Sequence, residues 1–386
     1  MSGRVRRPSW QVAFRIGAAG LVLSVAACAS TSASQVSASQ APSGQVPAAA
    51  AANPNIDTGS PLGGKMAPDF RLVNQFGQPM SLRQFRGKVV LLAFTDSQCT
   101  TICPLTTVAL LEAKALLGAA GRQVQLLGVD ANPKATAVSD VMAYSRVHAM
   151  VNRWDFLTGS LPRLQAVWKA YHIYVQVRAG QIDHTPALFV IDQRGREQEI
   201  YLTTGAYDSV GQQAHVLAAE VSRLLPGHPK LAGQESLAYI SGITPAQRVT
   251  LPTAAGGQVA LGPGHARLVL FFATWLSETS DLSARLTMLN QYAKAARSGR
   301  LPQLVAVDET VTEPSAGAVR SYLAGLPQPL DYPVALDVTG RIADGYKVTN
   351  QPWLEVVSAS GKIVWTSGAR GVWPSLATLE AAARKA

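Results

Sequence analysis

Apolar runs followed by segments with helical spacing recur along the first half of the chain. The run "KVVLLAF" at 88–94 has strand length and no polar interruption, which is typical of a strand buried on both faces. A short polar loop follows, and "LTTVALLEAKALLG" at 105–118 then has apolar residues at helical spacing. Pro104 suits the first turn of that helix. The pattern predicts a central strand, a loop and a helix, in that order.

The same alternation continues to about residue 204. We expect strands at "QVQLLGVD" and "WDFLTG", and helices at "VSDVMAYSRVHAM" and "SLPRLQAVWKAYHI". The stretch "YVQVRAGQIDHTPALFVIDQRGREQEIYLTT" then predicts paired strands, with "QRGR" as a turn. Alternating strands and helices that end in a hairpin predict an α/β fold of the thioredoxin-like type.

A similar order of elements begins again in the second half. Residues 227–250 contain Gly and Pro at intervals and are predicted to be a linker. After them come the apolar strand "ARLVLFFATW", a helix, a strand, a second helix, two strands joined by "SASGK", and a closing helix. We therefore expect an α/β fold class with two thioredoxin-like domains in tandem, the first over 64–226 and the second over 251–386.

The N-terminus predicts export. A cationic start precedes the apolar run "IGAAGLVLSVAA", which is too short to span a bilayer, and small residues then lead to Cys28. This order resembles a bacterial lipoprotein signal over residues 1–28, with Cys28 as the lipidated residue. An ordinary secretory signal or an uncleaved anchor, with Cys28 incidental, is the alternative. Residues 29–63 are rich in Ala, Ser, Gln, Pro and Gly and predict a disordered tether. The folded part is thus expected to be anchored to a membrane, facing the periplasm or extracytoplasmic side.

Composition adds a basic surface. The chain of 386 residues has 34 Lys and Arg against 24 Asp and Glu, a net charge of +10. The arginines are scattered, and no basic block has interleaved aromatic residues, so we expect no nucleic-acid partner. A length of 386 residues favours two domains, and a hydrophobic content of 47% is globular.

Cys99 and Cys103 are the two cysteines that remain once Cys28 is assigned to lipid. A disulfide across four positions closes almost no loop, so a structural bridge would stabilise the fold little. Both cysteines lie between the end of a central strand and the start of a helix. Unpaired N–H groups and the helix dipole favour an anion there, so we expect a thiolate at both positions. A metal site and a redox pair remain open as functions.

His184 lies just before an apolar strand and is followed by Thr185 and Pro186. In a thioredoxin-like fold this segment faces the cysteine loop, so His184 would project toward both thiols. Two thiolates and one imidazole suit copper, since Cu(I) favours thiolate and Cu(II) accepts imidazole with sulfur. Zinc also accepts these ligands, although it usually takes a fourth.

These segments resemble the Sco/SenC family of copper-binding assembly proteins over roughly 66–226. "CTTICP" matches the family pattern C-x-x-x-C-P, and "DHT" at 183–185 matches its distant histidine motif. The resemblance implies Cys99, Cys103 and His184 as copper ligands. It also implies delivery of Cu(I) or Cu(II) to the dinuclear copper site of cytochrome c oxidase, or reduction of that site's thiols. The implied partners are the oxidase copper-site subunit and other copper chaperones. Thr100 departs from the family, in which many members have proline.

Two other functions remain open. One is a membrane-tethered thiol–disulfide oxidoreductase, in which Cys99 and Cys103 are the redox pair; a metallochaperone is preferred to such an enzyme. The other is a copper- or redox-sensing interaction module.

Asp130 and Asp183 are candidates for supporting the ligands, but each is more simply an acid at a strand end. The other histidines have no motif context and are interpreted as surface or core residues: His148, His172, His215, His228 and His265.

The second domain resembles the exported thioredoxin-like oxidoreductases. "FFATWLSETS" stands where those proteins have F-W-A-x-W-C-x-x-C, with Leu276 and Thr279 in the cysteine positions. Without thiols it can perform neither disulfide exchange nor thiolate metal binding. We expect a degenerate redoxin that docks the oxidase subunit, another copper protein or the first domain. Four tryptophans are candidate anchors for docking, with a core position as the simpler interpretation of each: Trp275, Trp353, Trp365 and Trp373.

Overall fold

The apolar run at 88–94 forms the central strand of the first sheet. The computed structural model of the protein describes residues 53–178, 181–233, 236–278, 280–367 and 373–386. Cys28, the predicted signal and the tether up to residue 52 lie outside the described residues, and so does Thr279. None of the described helices is long and apolar enough to span a bilayer.

The first domain contains ten strands and four α-helices within the described residues. The strands are β1 (Ser60–Met66), β2 (Leu72–Val73), β3 (Pro79–Met80), β4 (Val89–Thr95), β5 (Val124–Asp130), β6 (Asp155–Leu157), β7 (Val175–Arg178), β8 (Gln181–His184), β9 (Ala187–Ile191) and β10 (Arg196–Leu202). The helices are α1 (Cys103–Leu116), α2 (Val138–Val147), α3 (Leu161–Ala170) and α4 (Val210–Leu224). Neither β1 nor α4 is among the elements predicted from the sequence, although the apolar residues of α4 have helical spacing.

The main sheet has the order β1-β10-β9-β4-β5-β6. Strands β4, β5 and β6 are parallel, whereas β9 runs antiparallel to β4. Alternate residues of β4 point to opposite faces of the sheet. Leu91 packs in a cluster with residues of α1 and α4, and Leu92 packs in a second cluster with residues of α3. Helices on both faces explain why the strand reads as an unbroken apolar run.

The second domain repeats this order. Its strands are β11 (Val249–Pro252), β12 (Gln258–Leu261), β13 (Arg267–Phe272), β14 (Gln303–Asp308), β15 (Val334–Leu336), β16 (Trp353–Val357) and β17 (Ile363–Thr366). Its helices are α5 (Leu282–Ala296), α6 (Ala316–Ala324), α7 (Arg341–Gly345) and α8 (Leu376–Ala383). The sheet order β15-β14-β13-β16-β17 has the same parallel and antiparallel pairs as β6-β5-β4-β9-β10. The expected tandem α/β arrangement is therefore present as two sheets of matching topology.

Both domains belong to one compact unit that starts at residue 50. One hydrophobic cluster contains Leu110 of α1 and Leu217 of α4 together with Val269 and Phe271 of β13. The core on the α1 and α4 side of the first sheet is thus continuous with one face of the second sheet.

The segments expected to be a tether and a linker are partly structured. β1 begins at Ser60, before the expected boundary at 63, and pairs with β10. Upstream of it, the Asn53 side-chain amide donates to the Gln212 side chain at 2.6 Å. Within the expected linker, the Ile243 N–H donates to the Arg341 carbonyl at 2.7 Å. Backbone pairing and polar contacts of this kind need distant chain segments, so local composition does not reveal them.

Candidate metal and thiol site

Cys99 lies on the loop between β4 and α1, and Cys103 follows at the start of the helix. The Cys99 N–H donates to the Asp96 carbonyl at 3.1 Å, and Cys103 is the first residue of α1. The Cys103 N–H donates to Cys99 Sγ at 3.4 Å, and Thr101 Oγ1 lies 3.4 Å from the same sulfur. Cys99 is partly exposed, Cys103 is buried, and neither is in a disulfide. The helix start therefore directs an N–H at the Cys99 sulfur, as expected from its position.

His184 reaches the thiols from the end of β8. Its Nε2 lies 3.9 Å from Cys103 Sγ, although the two residues are 81 positions apart. Its Nδ1 lies 3.1 Å from the carbonyl oxygen of Thr185. A carbonyl oxygen can only accept, so Nδ1 carries the proton and the Nε2 lone pair faces the sulfur. The imidazole is thus held in the tautomer that a metal ligand needs.

The two thiols differ in pKa. The hydrogen bond from the Cys103 side chain lowers the pKa of Cys99 to about 7. Burial raises the pKa of Cys103 well above its ordinary value. The expectation of a thiolate at both positions is wrong for Cys103, because desolvation outweighs the helix start there. Burial also lowers the pKa of His184, so its imidazole is neutral at pH 7.

The three predicted ligands do not form a preformed metal site. In the part of the chain that the structure describes, no three side chains among His, Cys, Asp and Glu are grouped as a ready-made metal site. Cys103 and His184 are opposed at 3.9 Å, and Cys99 lies on the adjoining loop. An ion that uses all three ligands therefore requires the Cys99 loop to adjust.

The two acids expected at strand ends behave differently. Asp130 is fully buried and accepts from the N–H of Ser97 at 3.3 Å and of Asn132 at 3.1 Å. Burial raises its pKa well above the ordinary range. Asp130 thus braces the start of the cysteine loop without touching sulfur. Asp183 is exposed and lies 3.8 Å from Arg178, so it has the role of a surface acid.

The remaining histidines do not join the site. His172, His228 and His265 are exposed, and His215 Nδ1 lies 3.2 Å from the carbonyl oxygen of Gly211 in its own helix. His148 is buried between two aromatic rings, and burial lowers its pKa to about 3. These residues are surface or core histidines, as their lack of motif context indicated.

In the second domain, Leu276 occupies the expected cysteine position and is buried in the hydrophobic core. Trp353 is buried and donates to Glu355 Oε1 at 2.7 Å. Trp365 and Trp373 are half-buried and pack on the core of the same domain. These three tryptophans are core aromatics. The ring of Trp275 contacts His148 of the first domain.

The fold and the site define a thioredoxin-like domain that carries two thiols and one imidazole at one end of its sheet. Residues 59–219 match the family model SCO1/SenC. The resemblance to the SCO1/SenC family expected from the sequence is therefore confirmed for this part of the chain. Residues 220–386 lie outside the matched stretch.

Individual relatives cover a similar share of the chain. The SCO1 protein homolog of Bacillus subtilis is 25% identical over 146 residues, which are 36% of this chain and 75% of the relative. The copper-bound structure of Bradyrhizobium japonicum ScoI is 19% identical with a TM-score of 0.36, covering 42% of this chain and 99% of that one. The apo Sco1 structure from Thermus thermophilus is 27% identical with a TM-score of 0.38, covering 44% and 96%.

The lowered pKa of Cys99 has a direct consequence for its reactivity. Only the thiolate is alkylated, so the rate with iodoacetamide should rise as the pH passes through about 7 and level off above about pH 8. Peptide mapping by mass spectrometry at a series of pH values measures the midpoint at Cys99. A midpoint near 8.5, the ordinary cysteine value, would contradict the assignment. In the Cys99→Ser variant, Cys103 should stay unmodified over the same range.

Proposed function

We propose that this is an exported, membrane-anchored protein that binds copper and serves the dinuclear copper site of cytochrome c oxidase. It delivers copper to that site or prepares the site's thiols for it. The observation that carries the proposal is the approach of His184 Nε2 to Cys103 Sγ at 3.9 Å, beside the partly exposed Cys99. The SCO1/SenC match over the same residues supports it.

The donor spacing suits one shared ion. Taking zinc bond lengths as a guide, a thiolate at about 2.3 Å and an imidazole at about 2.0–2.1 Å are about 3.6–3.9 Å apart at angles of about 110–130°. The Cys103–His184 distance lies at the upper end of that range. Two soft sulfurs with one imidazole favour copper over harder cations. Cys99 completes the set when its loop moves toward the pair.

The three ligands differ in whether they must lose a proton when copper binds. Cys103 must lose a proton to become a ligand, whereas Cys99 is already half ionised at pH 7. The His184 Nε2 lone pair needs no proton release. Three protein ligands leave a coordination position open. A partner's ligand can enter there, so that copper passes by stepwise exchange of ligands between two proteins.

The anchoring part of the proposal rests on the N-terminal sequence. A lipid on Cys28 and the predicted tether that begins at residue 29 would hold the folded part close to the outer face of the membrane. The oxidase is a membrane protein, so tethering would raise the concentration of the copper site near its target.

A copper titration tests the proposal. The reduced protein is titrated with Cu(I) against a chromophoric chelator, and separately with Cu(II) and Zn(II). We expect one equivalent of copper bound more tightly than zinc. Mixing the copper-loaded protein with the apo copper-site subunit of the oxidase should then move copper to the subunit. Tight copper that never moves would favour a sensing role, and an absence of tight binding would reject the copper function.

His184→Ala should separate the two oxidation states of copper. Cu(II) requires the imidazole and should lose about 100-fold or more in affinity, whereas Cu(I) retains two thiolates and should lose about tenfold or less. The same competition titration measures both. His265→Ala, at an exposed histidine, is the control and should bind both ions as the wild type does. Equal Cu(II) affinity in His184→Ala and wild type would remove His184 from the site.

A thiol–disulfide reductase is the second candidate. It is favoured by the pairing of a Cys99 thiolate with a buried, protonated Cys103 four residues later. Cys99 would attack one sulfur of a substrate disulfide and release the other as a thiolate. Cys103 would then give its proton to the released substrate thiolate and attack the mixed disulfide at the Cys99 sulfur, so that the substrate leaves as a dithiol after one further proton from solvent and Cys99–Cys103 becomes oxidised. Full reductase activity in His184→Ala, together with no tight metal binding by the wild type, would favour this function.

A further inference from the structure

The loop between the two cysteines touches the second domain. Thr100 Oγ1 donates to Asn350 Oδ1 at 3.3 Å, although the residues are 250 positions apart. Asn350 precedes Gln351–Pro352 and β16, and β16 corresponds in the matching sheets to β9 of the first domain. The second domain therefore meets the thiol loop with the segment that corresponds to the one carrying His184 in the first domain.

Trp275 provides a second contact at the same end of the domain. Its ring centroid lies 5.0 Å from that of His148, the residue that follows α2 of the first domain. The indole N–H donates to Thr312 Oγ1 at 3.1 Å, which fixes the ring. Trp275 directly precedes Leu276, where a cysteine would stand in an active redoxin. The degenerate active-site end is thus packed on the first domain.

A third set of contacts holds the two domains together. Asp344 accepts the N–H of Tyr207 at 3.0 Å and of Asp208 at 2.8 Å. Gln351 Nε2 donates to the Tyr207 hydroxyl at 3.4 Å. Tyr207 and Trp353 also belong to the hydrophobic cluster shared by both domains. The arrangement is therefore a packed interface with apolar and polar contacts, and it lies beside the thiols.

A partly open cavity of about 400 Å³ lies next to Cys99, with most of its wall formed by the first domain. Its walls include Cys99, Thr100, Tyr144 and His148 from the first domain and Trp275 from the second. Cys103 and His184 are not among the lining residues. This volume lies at the low end of the range for small-molecule sites, about 300–1,000 Å³. A small solute can therefore reach the Cys99 side of the site while the domains stay packed.

We infer that the second domain is a built-in size filter for Cys99, with Trp275 as its specificity-determining residue. Trp275 and Asn350 already occupy the surface around the Cys99 sulfur. A folded protein would need that surface to bring its own reactive group to the sulfur. Small thiol-reactive solutes reach Cys99 through the cavity, whereas a folded protein reaches it only with a group that protrudes into the cavity. The inference rests on the interface and does not depend on copper binding.

Two reagents of the same chemistry and different size test the filter. One is iodoacetamide, and the other is an unrelated small folded protein with a single surface bromoacetyl group. In both, the Cys99 thiolate forms a C–S bond and the halide leaves. Rates at Cys99 are measured by peptide mapping at pH 8 in the reduced full-length protein. The ratio of the protein rate to the iodoacetamide rate reports access by size.

We expect Trp275→Ala to raise this ratio by about tenfold or more, with the iodoacetamide rate changed little. Asn350→Ala should also raise the ratio. Because Asn350 is only half-buried, we expect the Asn350→Ala protein to fold even if the Trp275→Ala protein does not. Trp365→Ala is the matched control, since it removes a tryptophan that packs on the core of the second domain alone. An unchanged ratio in both interface variants, or an equal rise in Trp365→Ala, would overturn the inference.

Discussion

Replacing Cys103 by serine should abolish tight binding of both Cu(I) and Cu(II), with a loss of affinity of about 1,000-fold or more. Cys103 contributes the sulfur that faces His184 Nε2 at 3.9 Å, and a hydroxyl is a poor ligand for a soft ion. Serine is close to cysteine in volume and can donate to the same neighbours, so the buried position should keep its packing. The measurement is a competition titration with a chromophoric chelator on the reduced protein.

Thermal unfolding of the copper-free Cys103→Ser variant is the control for that measurement. An unfolding midpoint close to that of the wild type would assign the lost affinity to the missing ligand and not to a damaged fold. Copper affinity within about tenfold of the wild type in a folded Cys103→Ser protein would show that the buried sulfur is not a ligand.

Gly340→Ala should destabilise the protein by about 3–5 kcal/mol, an unusually large effect for one methyl group. Gly340 has a φ of +71°, and a Cβ there would lie 2.5 Å from Tyr207 Cβ and 2.6 Å from the Tyr207 carbonyl carbon. Movement of the Tyr207 backbone away from the new methyl group would strain the hydrogen bond from its N–H to Asp344. Denaturant unfolding measures the change in the free energy of unfolding.

Gly299→Ala is the matched control for that substitution. Gly299 has a φ of +76°, and nothing lies within 4 Å of the position that a Cβ would take. Its cost should be the backbone strain alone, about 1–2 kcal/mol. The difference between the two variants therefore isolates the close approach of the domains. Equal costs would show that the approach at Tyr207 is not tight.

The interface limits how a folded partner can take copper. The second domain covers the Thr100 side of the cysteine loop. His184, at the end of the β7–β8 hairpin, is partly exposed to solvent. A partner's ligand would have to enter beside His184 or extend into the cavity next to Cys99. This restriction favours a protruding ligand loop on the partner over a flat docking surface.

Local patterns were sufficient for much of the fold. The strand at 88–94, the helix after Pro104 and the "QRGR" turn all follow from the spacing of apolar residues and from Gly and Pro chemistry. The missed strand β1 and the missed contacts between the domains depend on distant partners. β1 is exposed along most of its length and is a strand because β10 pairs with it. Asn350 and Trp275 also carry no local signal of contact with the thiol loop.

The sequence by itself determined that two thiols lie at the end of a buried strand and the start of a helix, because apolar periodicity and Pro104 specify those elements locally. It also determined that the second domain has no sulfur at Leu276. Only the tertiary structure decided which thiol is ionised, since the pKa depends on burial, and Cys103 is buried while Cys99 is hydrogen-bonded. It likewise decided the direction of His184 Nε2 and the covering of the thiol loop by the second domain, because both are contacts between residues distant along the chain.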